Sequence, residues 1–375
     1  MKDNNLGIYI HIPFCERKCR YCDFLSFNAD EPIKESYVEA LLREIKENPH
    51  TTRTVDTIFF GGGTPSVLPA RLIARILDEL RKSFNVREDA EITVECNPGT
   101  VDDEKLKIYK SARVNRISFG LQSADDAELE MLGRIHNFED FKESFLAAKE
   151  AGFENINVDI MMALPGQLRE TLFYTIEEVT ALGPKHISMY SLILEEGTPL
   201  KESLPNLPPL PSEDKEREMY KEATKLLKSK GYGRYEISNY SKPGFESRHN
   251  IRYWQLDEYL GFGIGAASFT EGKRFSNTES IEDYIKTDDF EKIKRDVTIL
   301  SKEDIMGEFM FLGLRMMRGV SGKDFYERFG EDMKEVFADA VKAHLQDGTL
   351  KVTEEGFSLT ERGIDVSNYV MADFV

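Results

Sequence analysis

Two periods of hydrophobic spacing alternate along the first two hundred residues. Six short runs rich in β-branched and aromatic residues read as strands: GIYIHIP (7–13), VDTIFFG (55–61), AEITVEC (90–96), RISFGLQ (116–122), INVDIMMAL (156–164) and HISMYSLIL (186–194). Amphipathic stretches near 34–47, 69–83, 102–112, 138–151 and 169–182 predict the helices between them, and Gly152 and Gly183 supply stops for two of these. Strands separated by helices predict an α/β fold with a parallel sheet. Right-handed crossovers curl such units into a barrel or a partial (β/α)6 barrel.

The pattern then changes. LPNLPPLPSED (204–214) is a proline-rich connector that reads as a rigid spacer and launches a helix over 213–230. Beyond residue 300 three helices are predicted, near 302–317, 321–329 and 331–347, followed by the alternating hairpin TLKVTEEGFSLT and a polar end. Helices followed by a hairpin predict a small winged-helix-like domain suited to a protein or lid contact. The expected division is a core barrel over 1–236, a connecting segment over 237–300 and the C-terminal helical domain over 301–375.

Composition narrows the class of partner. Forty-nine Lys and Arg against 67 Asp and Glu give a net charge of −18, which disfavours nonspecific binding to nucleic acid or anionic lipid. The opening MKDNNLGIYIHIPF has no apolar signal core and no run of 18 apolar residues occurs, so the expected location is cytoplasmic with no membrane span. Only four cysteines are present. Three of them, Cys15, Cys19 and Cys22, fall within eight residues, a metal or cluster pattern rather than a disulfide framework.

In a parallel barrel, chemistry gathers where the strands end at their C-terminal face, and here each strand runs into a polar motif. The first leads into HIPFCERKCRYCDF and the second into Gly61-Gly62-Gly63-Thr64-Pro65. The third carries Glu95, the fourth ends at Gln122, the fifth carries Asp159 and the sixth leads to Tyr190. The C-x3-C-x2-C loop can place three thiolates around one centre, and a cubane held by three cysteines leaves one iron open to an external ligand. Structural zinc is the alternative, though no partnered Cys or His pair follows at zinc-ribbon spacing. Phe14, Tyr21 and Phe24 could shield such a centre. GGGTP permits close approach by a polar ligand, although by itself a tight turn explains it equally well. For Glu95 and Asp159 the structural alternative is an ion pair stabilising the barrel. Cys96 reads as a small buried hydrophobe rather than a fourth ligand.

Taken together, CERKCRYC, GGGTP, ECNPG, FGLQS and DIMMALPG resemble the radical S-adenosylmethionine (SAM) superfamily. YIHIPFC, LGRIH at 132–136 and the motif order are similar, over nearly the whole chain, to the oxygen-independent coproporphyrinogen III oxidase family. The resemblance implies a radical SAM barrel in which Cys15, Cys19 and Cys22 bind a [4Fe-4S] cluster and S-adenosylmethionine chelates the open iron. It further implies that Tyr9 and Tyr21 line that cofactor, that Gly62, Gly63 and Thr64 hold its polar end, and that Glu95, Gln122, Arg134 and Asp159 occupy further cofactor-contacting positions.

Two departures separate the chain from the oxidases of that family. Phe24 stands where they carry a fourth cysteine, and only eight residues precede Tyr9, where they have a longer extension. Coproporphyrinogen oxidation is therefore not expected. Instead, Arg248-His249-Asn250-Ile251-Arg252-Tyr253-Trp254 contains an H-N-x-x-Y-W motif that resembles the haem-binding motif of the HemW-type haem chaperones. His249 would supply an axial imidazole, and Tyr253 and Trp254 flat apolar surface for the porphyrin. On a helix His249 and Tyr253 share a face, and Arg248 with Arg252 form a stripe suited to propionates. Read alone, a histidine beside two aromatics is more often a packing residue. The glycines of GFGIG (261–265) read as a close-packed turn, not a dinucleotide fingerprint. The resemblance implies a chaperone that binds haem and delivers it to haem-requiring respiratory proteins, touching a membrane only through such a client. The alternatives are an oxidase forming protoporphyrinogen by radical decarboxylation, and a sensor of iron or oxygen acting through a labile cluster.

Overall fold

The computed structural model describes residues 5–48 and 52–375. Six strands, β1 (Asn5–Ile12), β2 (Thr54–Gly62), β3 (Asn85–Cys96), β4 (Arg116–Gln122), β5 (Asn155–Met162) and β6 (His186–Ser191), lie side by side and parallel in sequence order. Helices cover the outer face. In β1, Leu6, Ile8, Ile10 and Ile12 face the helices and are fully buried, while Gly7, Tyr9 and His11 alternate toward the lumen side. The register then aligns a ladder of inward residues, with Tyr9 beside Phe59, Phe59 beside Thr93, Ser118 beside Asn157, and Asn157 beside His186.

The predicted strands and the helices between them are present to within a few residues, the third strand beginning earlier, at Asn85, and the sixth ending earlier, at Ser191. Gly183 closes its helix in the left-handed region at φ 74°. The short helix Asp126–Leu132 went unforeseen because seven residues leave little periodicity to detect. Residues 204–211 are not a free spacer: the Gly166 amide donates to the Pro209 carbonyl at 2.9 Å, so the segment packs on the loop after β5.

A larger departure lies between 259 and 299. Tyr259–Phe262 pairs parallel with β1, and Ala267–Thr270, Lys273–Asn277 and Lys294–Ile299 continue the sheet antiparallel, to twelve strands in all. They are short and carry little alternation, and the outermost, KRDVTI, is almost entirely exposed with charges on its first three residues, as suits an edge strand. Gly261 and Phe262 therefore belong to a strand, and the turn of GFGIG is confined to residues 263–265. Its anchor is Glu44, buried on the helix Glu31–Glu47, whose carboxylate accepts hydrogen bonds from the Gly263 amide, Asn277 Nδ2 and Tyr284 Oη at 2.9, 2.6 and 2.5 Å.

Burial pushes the Glu44 carboxyl up to about 7 against these donors. A raised carboxyl stabilises the fold below its unfolded value and loses that contribution as pH rises through its folded value. Relative to Glu44→Gln, the native protein should therefore lose up to about 3 kcal/mol between pH 5 and pH 8. Urea titrations of both proteins at the two pH values measure this, and a constant gap would refute it.

The C-terminal domain has its own core, including Met310, Leu314, Phe325, Phe357 and Val370. Its first helix, Lys302–Gly313, stops short of 317, and the helix foreseen over 331–347 breaks at Phe337, whose φ of −110° and ψ of 32° are not helical. The hairpin Leu350–Val352 and Gly356–Leu359 gains a third strand, Val320–Ser321. The expected polar end is instead helical, and buries Val370, Met371 and Phe374. Among the described residues no helix is long and apolar enough to cross a membrane.

Candidate functional site

The mouth of the half-open barrel, at the C-terminal ends of β1 to β6, gathers most of the residues singled out by the sequence. The three-cysteine loop is stitched to the glycine turn, with the Gly63 amide donating to the Ile12 carbonyl and the Thr64 amide to that of Phe14, at 2.9 and 2.8 Å. Two glycines are obligatory there. At Gly62, φ is 111° and a Cβ would stand 2.5 Å from the His11 ring; at Gly63 it would stand 2.8 Å from the Phe14 carbonyl oxygen. Thr64 then places its hydroxyl 3.5 Å from Cys15 Sγ, and Asn97 Nδ2 donates to that hydroxyl at 2.9 Å.

Arg134 ties the opposite side together. Its guanidinium donates to Cys19 Sγ at 3.3 Å, to Asn97 Oδ1 at 2.7 Å and to the Gly120 carbonyl, while its buried Nε has no partner. Cys15, Cys19 and Cys22 are all free thiols. Burial raises the Cys22 thiol, and Cys19 and Cys15 push it further. The sulfurs are not closed into a binding triad, since among the described residues no three Cys, His, Asp or Glu side chains stand close enough to hold an ion. As a donor set, three free thiols on one loop, beside a buried guanidinium with a spare N–H, suit an anionic iron–sulfur group. Cys96 points away, into the apolar core behind the sheet, where burial raises its thiol to about 12.

Below the cysteines the lumen is polar, and Tyr9, Glu95 and Asp159 in it are half-buried. Glu95 accepts from the Gly62 amide, and burial with the neighbouring Asp159 carboxylate pushes it up to about 8. Asp159 is raised by burial despite a 2.7 Å hydrogen bond from Asn157 Nδ2 and the cations of Arg116 and Arg134. No ion pair closes on either carboxylate among the described residues, so the barrel-stabilising salt bridge considered for them does not form. Gln122, at φ 81°, turns its side chain to accept from Tyr190 Oη at 2.9 Å. Tyr9 is bonded to His11 Nδ1 at 3.1 Å, and burial raises the Tyr21 phenol, with Arg134 opposing and Cys19 adding to it.

The H-N-x-x-Y-W segment sits elsewhere, as a plug in the floor of the same lumen. It forms the helix Arg248–Trp254, capped by Ser247, with Glu91 of β3 accepting from the amides of Arg248 and His249 at 3.1 and 3.0 Å. His249 is 1% exposed and stacks on Phe59 with ring centroids 5.2 Å apart. Both ring nitrogens are engaged, Nδ1 with Thr57 Oγ1 at 2.9 Å and Nε2 with Tyr253 Oη at 2.8 Å. Burial, with Arg252 and Arg116 nearby, lowers the imidazole to about 3. Burial raises the Tyr253 phenol, and Tyr259, whose ring lies edge-on at 4.6 Å, pushes it further. Trp254 is half-buried, with the Arg315 guanidinium 4.3 Å above its ring and its indole N–H without a partner.

The expected arginine stripe is only half available. Arg252 is buried in an ion pair with Asp56, which leaves Arg248 exposed on the outer face. That face opens on a depression of about 560 Å3 lined by Arg248, Ile251, Phe245 and Lys110, together with four carboxylates.

Sequence reasoning overlooked Arg116, His186 and Tyr235. Arg116 is 2% exposed in mid-lumen with an unpartnered Nε, and lies close enough to lower both His186 and His249. Its signal was available, a guanidinium in the otherwise uncharged, wholly buried run RISFGLQ.

Comparison with known proteins places these features in a lineage. Residues 9–179 match the Radical SAM superfamily and residues 300–366 the HemN C-terminal domain. A heme chaperone HemW of Lactococcus lactis is 37% identical, with 98% of this chain and 96% of that protein covered. A heme chaperone HemW of Bacillus subtilis is 38% identical, with 98% of each covered. The fold is that of the solved coproporphyrinogen III oxidase HemN of Escherichia coli, a radical SAM enzyme, at a TM-score of 0.86 and 23% identity over 98% of this chain and 89% of that one. The three-cysteine mouth and the buried H-N-x-x-Y-W floor thus belong to a radical SAM protein, and the chain is a member of the family that includes the heme chaperones named HemW.

Proposed function

We propose that this protein binds haem through the Arg248–Trp254 segment and hands it to haem-requiring respiratory proteins, with a [4Fe-4S] cluster and S-adenosylmethionine held at the barrel mouth. The observation that carries the reading is the pairing of the two sites in one lumen, where the Phe59 ring stacks on Tyr9 of the mouth at 6.3 Å and on His249 of the haem motif at 5.2 Å. Cys15, Cys19 and Cys22 would hold the cluster. When bound, the cluster with S-adenosylmethionine supplies a one-electron route to radical chemistry.

The chain's own residues do the rest. Glu95 and Asp159 are two half-buried carboxylates without a counter-ion bonded to them among the described residues, an arrangement that a bound sulfonium or ammonium relieves. Gly62, Gly63 and Thr64 present a surface free of Cβ atoms to the cofactor's polar end. Gln122, Arg134 and the two tyrosines, Tyr9 and Tyr21, wall it from water, which strengthens those charge pairs. Phe24, 70% exposed at the rim where oxidases carry a further cysteine, leaves no fourth thiol at that position.

The 1–236, 237–300 and 301–375 division acquires a functional sense in this reading. Arg328 from the last segment donates to the carbonyls of Gln255 and Leu256 at 3.2 and 3.0 Å, holding the two residues that follow the haem motif. Anaerobic titration of the reconstituted protein with haem should give a saturable Soret shift near one equivalent, and the loaded protein should pass its haem to an apo-haem protein. No Soret change at stoichiometric concentrations would overturn the proposal.

A further inference from the structure

The mouth and the floor of the lumen are joined by a continuous line of hydrogen bonds. It starts at Asp159, whose Oδ1 accepts from Asn157 Nδ2 at 2.7 Å. Asn157 Oδ1 accepts from His186 Nδ1 at 2.5 Å, His186 Nε2 meets Tyr235 Oη at 2.8 Å, and Tyr235 Oη accepts from the backbone amide of Ser247 at 3.2 Å. Ser247 is the N-cap of the helix that carries His249.

With Asp159 ionised, the direction of every bond is fixed. A carboxylate accepts, so Asn157 must present its amino group upward and its carbonyl to His186. His186 Nδ1 then carries the proton, leaving Nε2 to accept from the Tyr235 hydroxyl, whose oxygen remains free for the Ser247 N–H. Burial and Arg116 hold His186 well below its ordinary value, which keeps it neutral and the polarity single. His186 and Ser247 are wholly buried and Asn157 is 2% exposed, while Asp159 and Tyr235 are half-buried. Neither His186 nor Tyr235 touches the cysteine loop or the haem motif's own aromatic rings.

We infer that His186 and Tyr235 are positioning residues that transmit occupancy of the cofactor site at Asp159 to the haem-motif helix Arg248–Trp254. The inference rests on the reading that S-adenosylmethionine lies against Asp159 and haem against that helix. A cation arriving at Asp159 competes for the carboxylate that Asn157 now serves. Any rotation of the Asn157 amide is then felt by His186, and through Tyr235 by the helix cap. Coupling of this kind is reciprocal, so haem bound at the helix alters affinity for S-adenosylmethionine by the same factor.

The test uses the full chain with its cluster reconstituted and needs no turnover. Trp254, the only tryptophan, ends the helix in question and reports on it without haem. Adding S-adenosylmethionine should shift Trp254 emission in the native protein and change haem affinity about fivefold or more. Tyr235→Phe, which deletes one oxygen, should retain cluster and cofactor binding yet lose both responses. His186→Gln keeps a donor and an acceptor and should restore at least part of them, whereas His186→Leu should not. A cofactor that binds the native protein with no change in Trp254 emission, or a full response in Tyr235→Phe, overturns the relay. A response in Trp254 emission without any haem binding would retain the relay and refute the haem reading, and failure of S-adenosylmethionine to bind the native protein would refute both.

Discussion

Cys19→Ala should strip the anaerobically reconstituted protein of nearly all its iron, against about four irons per chain in the native protein. The expectation follows from the placement of the four thiols. Cys15, Cys19 and Cys22 share one loop at the barrel mouth, where Arg134 donates to Cys19 Sγ and the Thr64 hydroxyl meets Cys15 Sγ. A cubane held by three protein ligands has none to spare, so Cys15→Ala and Cys22→Ala should behave alike. Cys96 is the internal control. It faces the helices behind the sheet and is 2% exposed, so Cys96→Ala should retain iron in full and cost at most a small cavity's worth of stability. Iron and sulfide assay with visible absorption decides the matter, and a full cluster in Cys19→Ala would remove these cysteines from the metal site.

Much of the mouth was legible because strand-end motifs in a parallel barrel converge whatever the helices between them do. Glu95 and Gln122 needed only their positions at strand ends and Asp159 its place on the fifth strand, whereas Gly62 and Gly63, which a tight turn explains equally well, needed the resemblance besides. The floor was not legible. His249 is buried by Phe59 and Thr57, almost two hundred residues earlier in the chain, and nothing local to RHNIRYW reveals that both of its ring nitrogens are already taken. Arg252 looked free for the same reason, its partner Asp56 lying on a distant strand. The line from Asp159 through His186 to Ser247 depends on register between β5 and β6 and on a loop returning from residue 235. Neither is written in hydrophobic period. The strands from Tyr259 onward failed differently, because four or five residues are too few to show the alternation by which buried strands are recognised and the outermost, KRDVTI, is exposed.

The buried His249 changes what haem binding should look like in time. An imidazole bonded to Thr57 at one nitrogen and Tyr253 at the other cannot ligate iron until one bond opens and the helix Arg248–Trp254 swings its face outward. The binding-competent state is then a minor one, and apparent affinity falls by its population. The rate of the Soret change should therefore level off as haem concentration rises, at the rate of helix opening. Tyr253→Phe keeps the aromatic face for the porphyrin but releases Nε2. Losing one net hydrogen bond of about 1 kcal/mol raises the open fraction about fivefold and the limiting rate with it. His249→Ala should weaken haem binding at least tenfold with cluster content unchanged, because it removes the iron bond and leaves only apolar contact with Tyr253 and Trp254. The same preparations, reduced and given S-adenosylmethionine, should form no protoporphyrinogen from coproporphyrinogen. Uptake that stays linear in haem and is indifferent to His249→Ala would place haem elsewhere on the protein, and catalytic formation of protoporphyrinogen would replace the chaperone reading with the oxidase one.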